Sequence, residues 1–217
     1  SSFMPSTSLF FPKKEAGTAL GIQAGVGNFG VSLVQLLSPM IIGLSLFSFL
    51  GGGQIIVETG KKIYLENIAF IYIIPLLIIG IWAWFSLKSI PVKASFKEQL
   101  HIFKDRHTLY CTMTFGIFAG FSAAFPLMIK NLYTSLKKSI DLLQFAFSGP
   151  LIGSASRVIF GKIADKTGGP ILTHITGIAL IILISRLILG GYLTPTSPDQ
   201  FQGFLIIILV IFFFIGI

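Results

Sequence analysis

Apolar runs about 20 residues long, separated by short polar connectors, constrain this chain more than any other feature. Such a run has the length of a membrane crossing, and in lipid only a helix or a closed barrel satisfies its own backbone. A barrel would show ~10-residue strands of alternating polarity, and no such alternation is seen here. Composition agrees: 11% of residues are charged, against roughly 25% in a soluble domain, and the mean hydropathy is +0.88. The expected fold class is all-α, a polytopic helical membrane protein embedded in a lipid bilayer.

Five spans are read, over roughly 16–50, 68–87, 109–129, 142–163 and 171–193, with a sixth opening near Phe204. The run from Phe204 is still apolar at Ile217, and Ser1 to Phe11 reads as the tail of a preceding span. An internal fragment of a longer carrier or channel is therefore expected. Basic residues sort by connector. Nine lie at Lys13, Lys14, Lys88, Lys93, Lys97, Lys104, Arg106, Lys162 and Lys166, and five at Lys61, Lys62, Lys130, Lys137 and Lys138. The positive-inside rule places the first group in the cytoplasm. The net charge of +8 thus reports topology and not nucleic-acid binding.

The first full span carries Gly17, Gly21, Gly25, Gly27 and Gly30. The first three are four residues apart and share one helix face, where a neighbouring helix or a ligand can approach to backbone distance. Asn28 sits among these glycines, and an amide at lipid depth needs partners. Arg157 lies five residues before Lys162, about 7.5 Å along a helix, which puts it inside the hydrocarbon. A guanidinium stays charged there. Yet the acidic residues all fall in connectors or at span ends: Glu15, Glu58, Glu66, Glu98, Asp105, Asp141, Asp165 and Asp199. A buried cation without a protein anion has the character of an anion site. Arg186 falls near a span end, where a long side chain snorkels to the interface.

Phe115, Phe118, Phe121 and Phe125 recur at helical spacing, as a packing stripe or an aromatic-lined passage. His101, His107 and His174 do not pair with Cys111 or one another at ligand spacing, so no metal site and no cofactor is expected. No phosphate loop, nucleophile elbow or paired carboxylate is present, and the chain is read as a carrier, not an enzyme.

At these residues the sequence resembles the nitrate/nitrite porters of the major facilitator superfamily. FFPKKEAGTALGIQAGVGNFGVSLVQLLSP is similar to that family's nitrate signature, and TFGIFAGFSAAFP to its seventh helix. GSASRVIFGKIADKTGG resembles the superfamily's cytoplasmic loop motif, carried here by Gly153, Gly161, Asp165 and Gly168. The resemblance implies a two-bundle, alternating-access transporter in a bacterial-type inner membrane, with this chain running from the end of helix four into helix ten. Residues 1–90 would then end the N-terminal bundle, 91–107 would connect the bundles in the cytoplasm, and 108–217 would begin the C-terminal bundle. It further implies nitrate or nitrite as substrate, with Arg157 as the C-terminal-half arginine, Asn28 near the anion and Phe115 packing against it. Where the family carries an anion-contacting tyrosine this chain has Cys111, with Tyr110 one position away, about 100° around a helix. With no carboxylate or histidine read within a span, nitrate/nitrite exchange is favoured over proton-coupled symport. A carrier of another small anion is the second reading, and a membrane sensor or assembly subunit the third. Oligomeric state is not fixed by the sequence.

Overall fold

The structure is a computed structural model that describes residues 7, 10–47, 49, 52–56, 60–87, 100–134 and 142–216. Its elements are α1 (Ala16–Ile42), a two-stranded antiparallel hairpin of β1 (Gln54–Ile55) and β2 (Lys62–Ile63), and α2 (Glu66–Ser86). These are followed by α3 (Arg106–Met128), α4 (Ser148–Thr167), α5 (Gly169–Leu189) and α6 (Gln200–Ile215). Among the described residues four helical stretches are long and apolar enough to cross a membrane: Lys13–Ile42, Glu66–Ser86, Thr108–Tyr133 and Gly169–Leu189. The chain is an all-helical, multi-pass integral membrane protein.

Several boundaries differ from those read in the sequence. The first span ends at Ile42, not near residue 50, and residues 43–47 form turns although Leu44, Leu46 and Phe47 are apolar. Asn67 is the reason. It is fully buried, and its Nδ2 donates to the carbonyls of Ile41, at 3.0 Å, and Leu44. Its Oδ1 accepts from the N–H of Phe47 at 3.2 Å. One amide thus binds one carbonyl of the last helical turn and two backbone groups of the turn that follows, while the Ile42 carbonyl accepts from the Tyr64 N–H at 2.9 Å. The expected fourth span begins only at Ser148, after a 3-10 turn over Leu142–Phe145. Its serines, Arg157 and Lys162 also make α4 less apolar than the four crossing helices, and its small residues Gly149, Gly153, Ser154 and Ser156 are buried against protein. The fifth span runs from Gly169 to Leu189, two residues earlier than read at its start.

Two compact units are resolved by packing, residues 1–33 with 94–217, and residues 34–93. In the first, α6 is the central helix: Phe204, Ile208, Ile211, Phe212 and Ile215 are buried among Phe118, Phe125, Ile129 and Tyr133. Past Pro126 the α3 backbone widens into a π-helical turn, Ile129–Thr134. Proline removes one rung of the hydrogen-bond ladder, and such turns gather where the ladder is broken. The Tyr133 hydroxyl donates to the carbonyl of Tyr192 at 2.9 Å, which ties this turn to the end of α5. The second unit holds the hairpin and α2. Trp82, Trp84 and Phe85, near the end of α2, are 70%, 84% and 82% exposed, a placement suited to the headgroup level. Most of the described part of the 91–107 connector begins at residue 100; its residues 91–99 lie outside the described residues.

Candidate anion site and the helix contact beside it

The site is built on the contact between α1 and α4. Backbone against backbone is possible there because both faces lack side chains. A Cβ placed on Gly21 would stand 2.7 Å from the Arg157 carbonyl and 3.0 Å from the Gly161 Cα. On Gly25 it would meet Val158 Cγ2 at 2.6 Å and the Ser154 carbonyl at 2.7 Å. On Gly17 it would meet the Gly161 carbonyl at 2.7 Å, and Gly161 in turn lies against the Gly17 carbonyl. Higher numbers on α1 meet lower numbers on α4, so the two helices run antiparallel. The hydroxyls along α4 are satisfied within that helix: Ser154 donates to the Pro150 carbonyl at 2.6 Å and Ser156 to that of Gly153 at 2.9 Å.

One end of this contact is charged. The Asp165 carboxylate accepts from the N–H of Gly17 at 2.7 Å and of Thr18 at 2.8 Å, and from the Thr18 hydroxyl at 2.6 Å. These N–H groups belong to the first turn of α1, where a helix has unsatisfied donors and the positive end of its dipole. Asp165 therefore caps α1 from another helix. The Thr18 hydroxyl bond, followed by the two backbone bonds and opposed by partial burial, holds its carboxyl below the usual carboxylate range. Gly168, with φ at +86°, ends α4 in the left-handed region that glycine tolerates.

Arg157 leaves α4 on the face next to the α1 contact. Its Nε donates to the Gly216 carbonyl at 3.3 Å, and its guanidinium carbon lies 4.8 Å from the centre of the Phe118 ring. Both partners are neutral, and among the described residues no carboxylate pairs with it.

The other residues read from the sequence are spread more widely. Asn28 follows Gly25 by three residues on the same side of α1; it is half-buried, and its Nδ2 has no hydrogen-bond partner among the described residues. Gly27 and Gly30 have nothing within 4 Å of an added Cβ, so the close contact uses the first three glycines of the stripe. Phe115 is 53% exposed; the ring beside Arg157 is that of Phe118. Gly153 faces Phe118, with an added Cβ 2.7 Å from its Cε2. Tyr110 is exposed, and the side chain of Cys111 lies outside the described residues. One reading needs correction: His174 is within a span, six residues into α5, its Nδ1 2.7 Å from the Pro170 carbonyl. Sequence reasoning did not pair Asp165 with Thr18 or Arg157 with Phe118, and it missed Asn67. The only signal for Asn67 was an amide at the start of an otherwise apolar run.

No family profile matches the chain. It aligns over its whole length, at 48% identity across 225 residues, with the probable nitrate/nitrite antiporter NarK2 of Thermus thermophilus, covering 50% of that protein. It is likewise 36% identical across 221 residues to the nitrate/nitrite transporters NarU of Salmonella typhimurium and of Escherichia coli, covering 46% of each. The chain is thus similar along its whole length to segments of nitrate/nitrite porters. It spans about half the length of these relatives. The aligned segment holds the α1–α4 contact and Arg157.

Proposed function

We propose that this chain forms part of a carrier that moves nitrate, nitrite or both across a bacterial inner membrane by alternating access, and that it works by exchange. The observation that carries the reading is the Arg157 guanidinium, held among the described residues by a carbonyl and a ring, so that its full charge remains available to an anion. A planar, trigonal anion matches the planar donor fork of arginine. Asn28, with a free Nδ2 beside the glycine stripe, is a neutral donor that discriminates by hydrogen bonding without adding charge. Phe115, exposed on α3, is the aromatic the family resemblance assigns to packing against the anion. The glycine-lined contact of α1 with α4 presents few side chains to a shift of one helix past the other, and residues 91–107 would link the two bundles.

The direction of coupling rests on the name of the Thermus relative, an antiporter. In proteoliposomes holding the protein expressed from its complete gene, labelled nitrate should enter when the lumen contains nitrite and stall when it does not. Uptake that requires a pH gradient and ignores internal nitrite would replace exchange with proton symport, a reading in which His174 becomes a candidate carrier. Arg157→Lys should remove uptake almost completely, because a lysine offers a point charge without the bidentate geometry. Near-normal uptake by that variant would refute the anion site.

A further inference from the structure

A deep arginine with no carboxylate beside it among the described residues poses a physical problem. Something must fix the plane of the guanidinium, or an arriving anion meets a side chain spread over many rotamers and has to order it at the expense of affinity. A carboxylate would fix the plane but quench the charge. We propose that Phe118 is the positioning residue for Arg157, a ring on which the guanidinium rests so that its donors face the substrate while its net charge is kept. This proposal rests on the anion-carrier reading above and identifies a residue that reading did not use.

The geometry follows from the sequence of α4. Helical side chains lean toward the helix N-terminus, so Arg157 reaches back over the turn that contains Gly153. Glycine leaves that turn bare, and Phe118 of α3 fills the space: an added Cβ on Gly153 would stand 2.7 Å from Phe118 Cε2. The ring is 2% exposed, and its edge-on contact with Phe212, 6.2 Å between centres at 89°, blocks it from tipping. The guanidinium carbon lies 4.8 Å from its centre, within the range of a cation–π contact, which strengthens as water is excluded. A quadrupole attracts the cation without neutralising it. Phe115, three residues earlier on α3 and 53% exposed, has no such fixed seat.

A structural role and a positioning role are separated by changing the electrons of the ring and not its shape. Phenylalanine analogues with one, two and three fluorines are incorporated at position 118 in the protein made from its complete gene, and the KM and maximal rate of nitrate uptake into nitrite-loaded proteoliposomes are measured. Each fluorine withdraws density from the π face, so KM should rise about twofold per fluorine with the maximal rate little changed, as expected for weakened ground-state binding. The same series at Phe125, equally buried but in contact with Phe204 and Phe212, should leave KM flat. A flat or falling KM at position 118, or equal rises at both positions, overturns the role of Phe118. If the unsubstituted protein moves neither nitrate nor nitrite, the carrier reading itself fails, and this role with it.

Discussion

Thr18 is bound to Asp165 twice through a single oxygen: its hydroxyl at 2.6 Å and its N–H at 2.8 Å both donate to Oδ2. The other oxygen takes the N–H of Gly17 at 2.7 Å. A carboxylate from the end of α4 thereby occupies the place that a capping side chain would fill at the start of α1, 147 residues away in sequence. It also sets the register of the glycine contact that follows.

Asp165→Asn keeps the shape of the cap and removes its charge, so the variant should melt below the parent at neutral pH. The pH dependence has a defined sign. The carboxyl is held below its ordinary value, mainly by the Thr18 hydroxyl, so its contribution is complete above the unfolded-state value of about 3.9 and is lost as pH falls through the depressed one. The gap between parent and variant should therefore stay constant from pH 8 to about pH 5 and close only in stronger acid. Melting curves of the detergent-purified proteins across that range provide the check. A gap that closes near pH 6 would show that another group controls this helix end.

Gly21→Ala should be costly. Both neighbours of the added methyl are backbone, the Arg157 carbonyl and the Gly161 Cα, and neither can swing aside as a long side chain would. The helices must separate, at about 1–3 kcal/mol, the usual range for overpacking. Because the neighbour is the backbone of Arg157 itself, the separation should also displace the guanidinium and raise the KM for nitrate several-fold. Denaturation and uptake measured on the same preparation test both parts. An alanine variant as stable and as tightly binding as the parent would mean that the α1–α4 contact is not this close.

What could be read in the sequence divides along the range of the interactions involved. The helices of 66–86 and 169–189 were legible because lipid selects an unbroken apolar run, a purely local property. The distribution of carboxylates along the sequence, away from Arg157, was also legible, since it can be counted without a fold. Its seat on Phe118 was not, because the stripe Phe115, Phe118, Phe121 and Phe125 looks uniform in sequence. Only packing against Gly153 and Phe212 distinguishes one ring from the next. The early stop of α1 was hidden for the same reason. Leu44 and Phe47 are apolar enough to continue a span, and the residue that turns the chain there is Asn67, more than 20 positions on.

That turn yields the last prediction. Asn67 is 0% exposed and uses both halves of its amide, the NH2 on the carbonyls of Ile41 and Leu44 and the oxygen on the N–H of Phe47. Asn67→Ala leaves the Leu44 carbonyl and the Phe47 N–H without this partner, while the Ile41 carbonyl keeps the Leu44 N–H at 3.1 Å, a loss of about 2–3 kcal/mol. Asn67→Asp should be worse at neutral pH, although it is nearly the same size. It keeps the acceptor for Phe47 but turns a negative charge toward two carbonyl oxygens, in a site with little water to screen them. Protonation restores one donor, so the aspartate variant should recover toward the alanine variant as pH is lowered. Thermal melting of the three proteins at two pH values gives the ranking directly. If aspartate proves more stable than alanine at neutral pH, water reaches this side chain, and the amide does not close the end of α1 by itself.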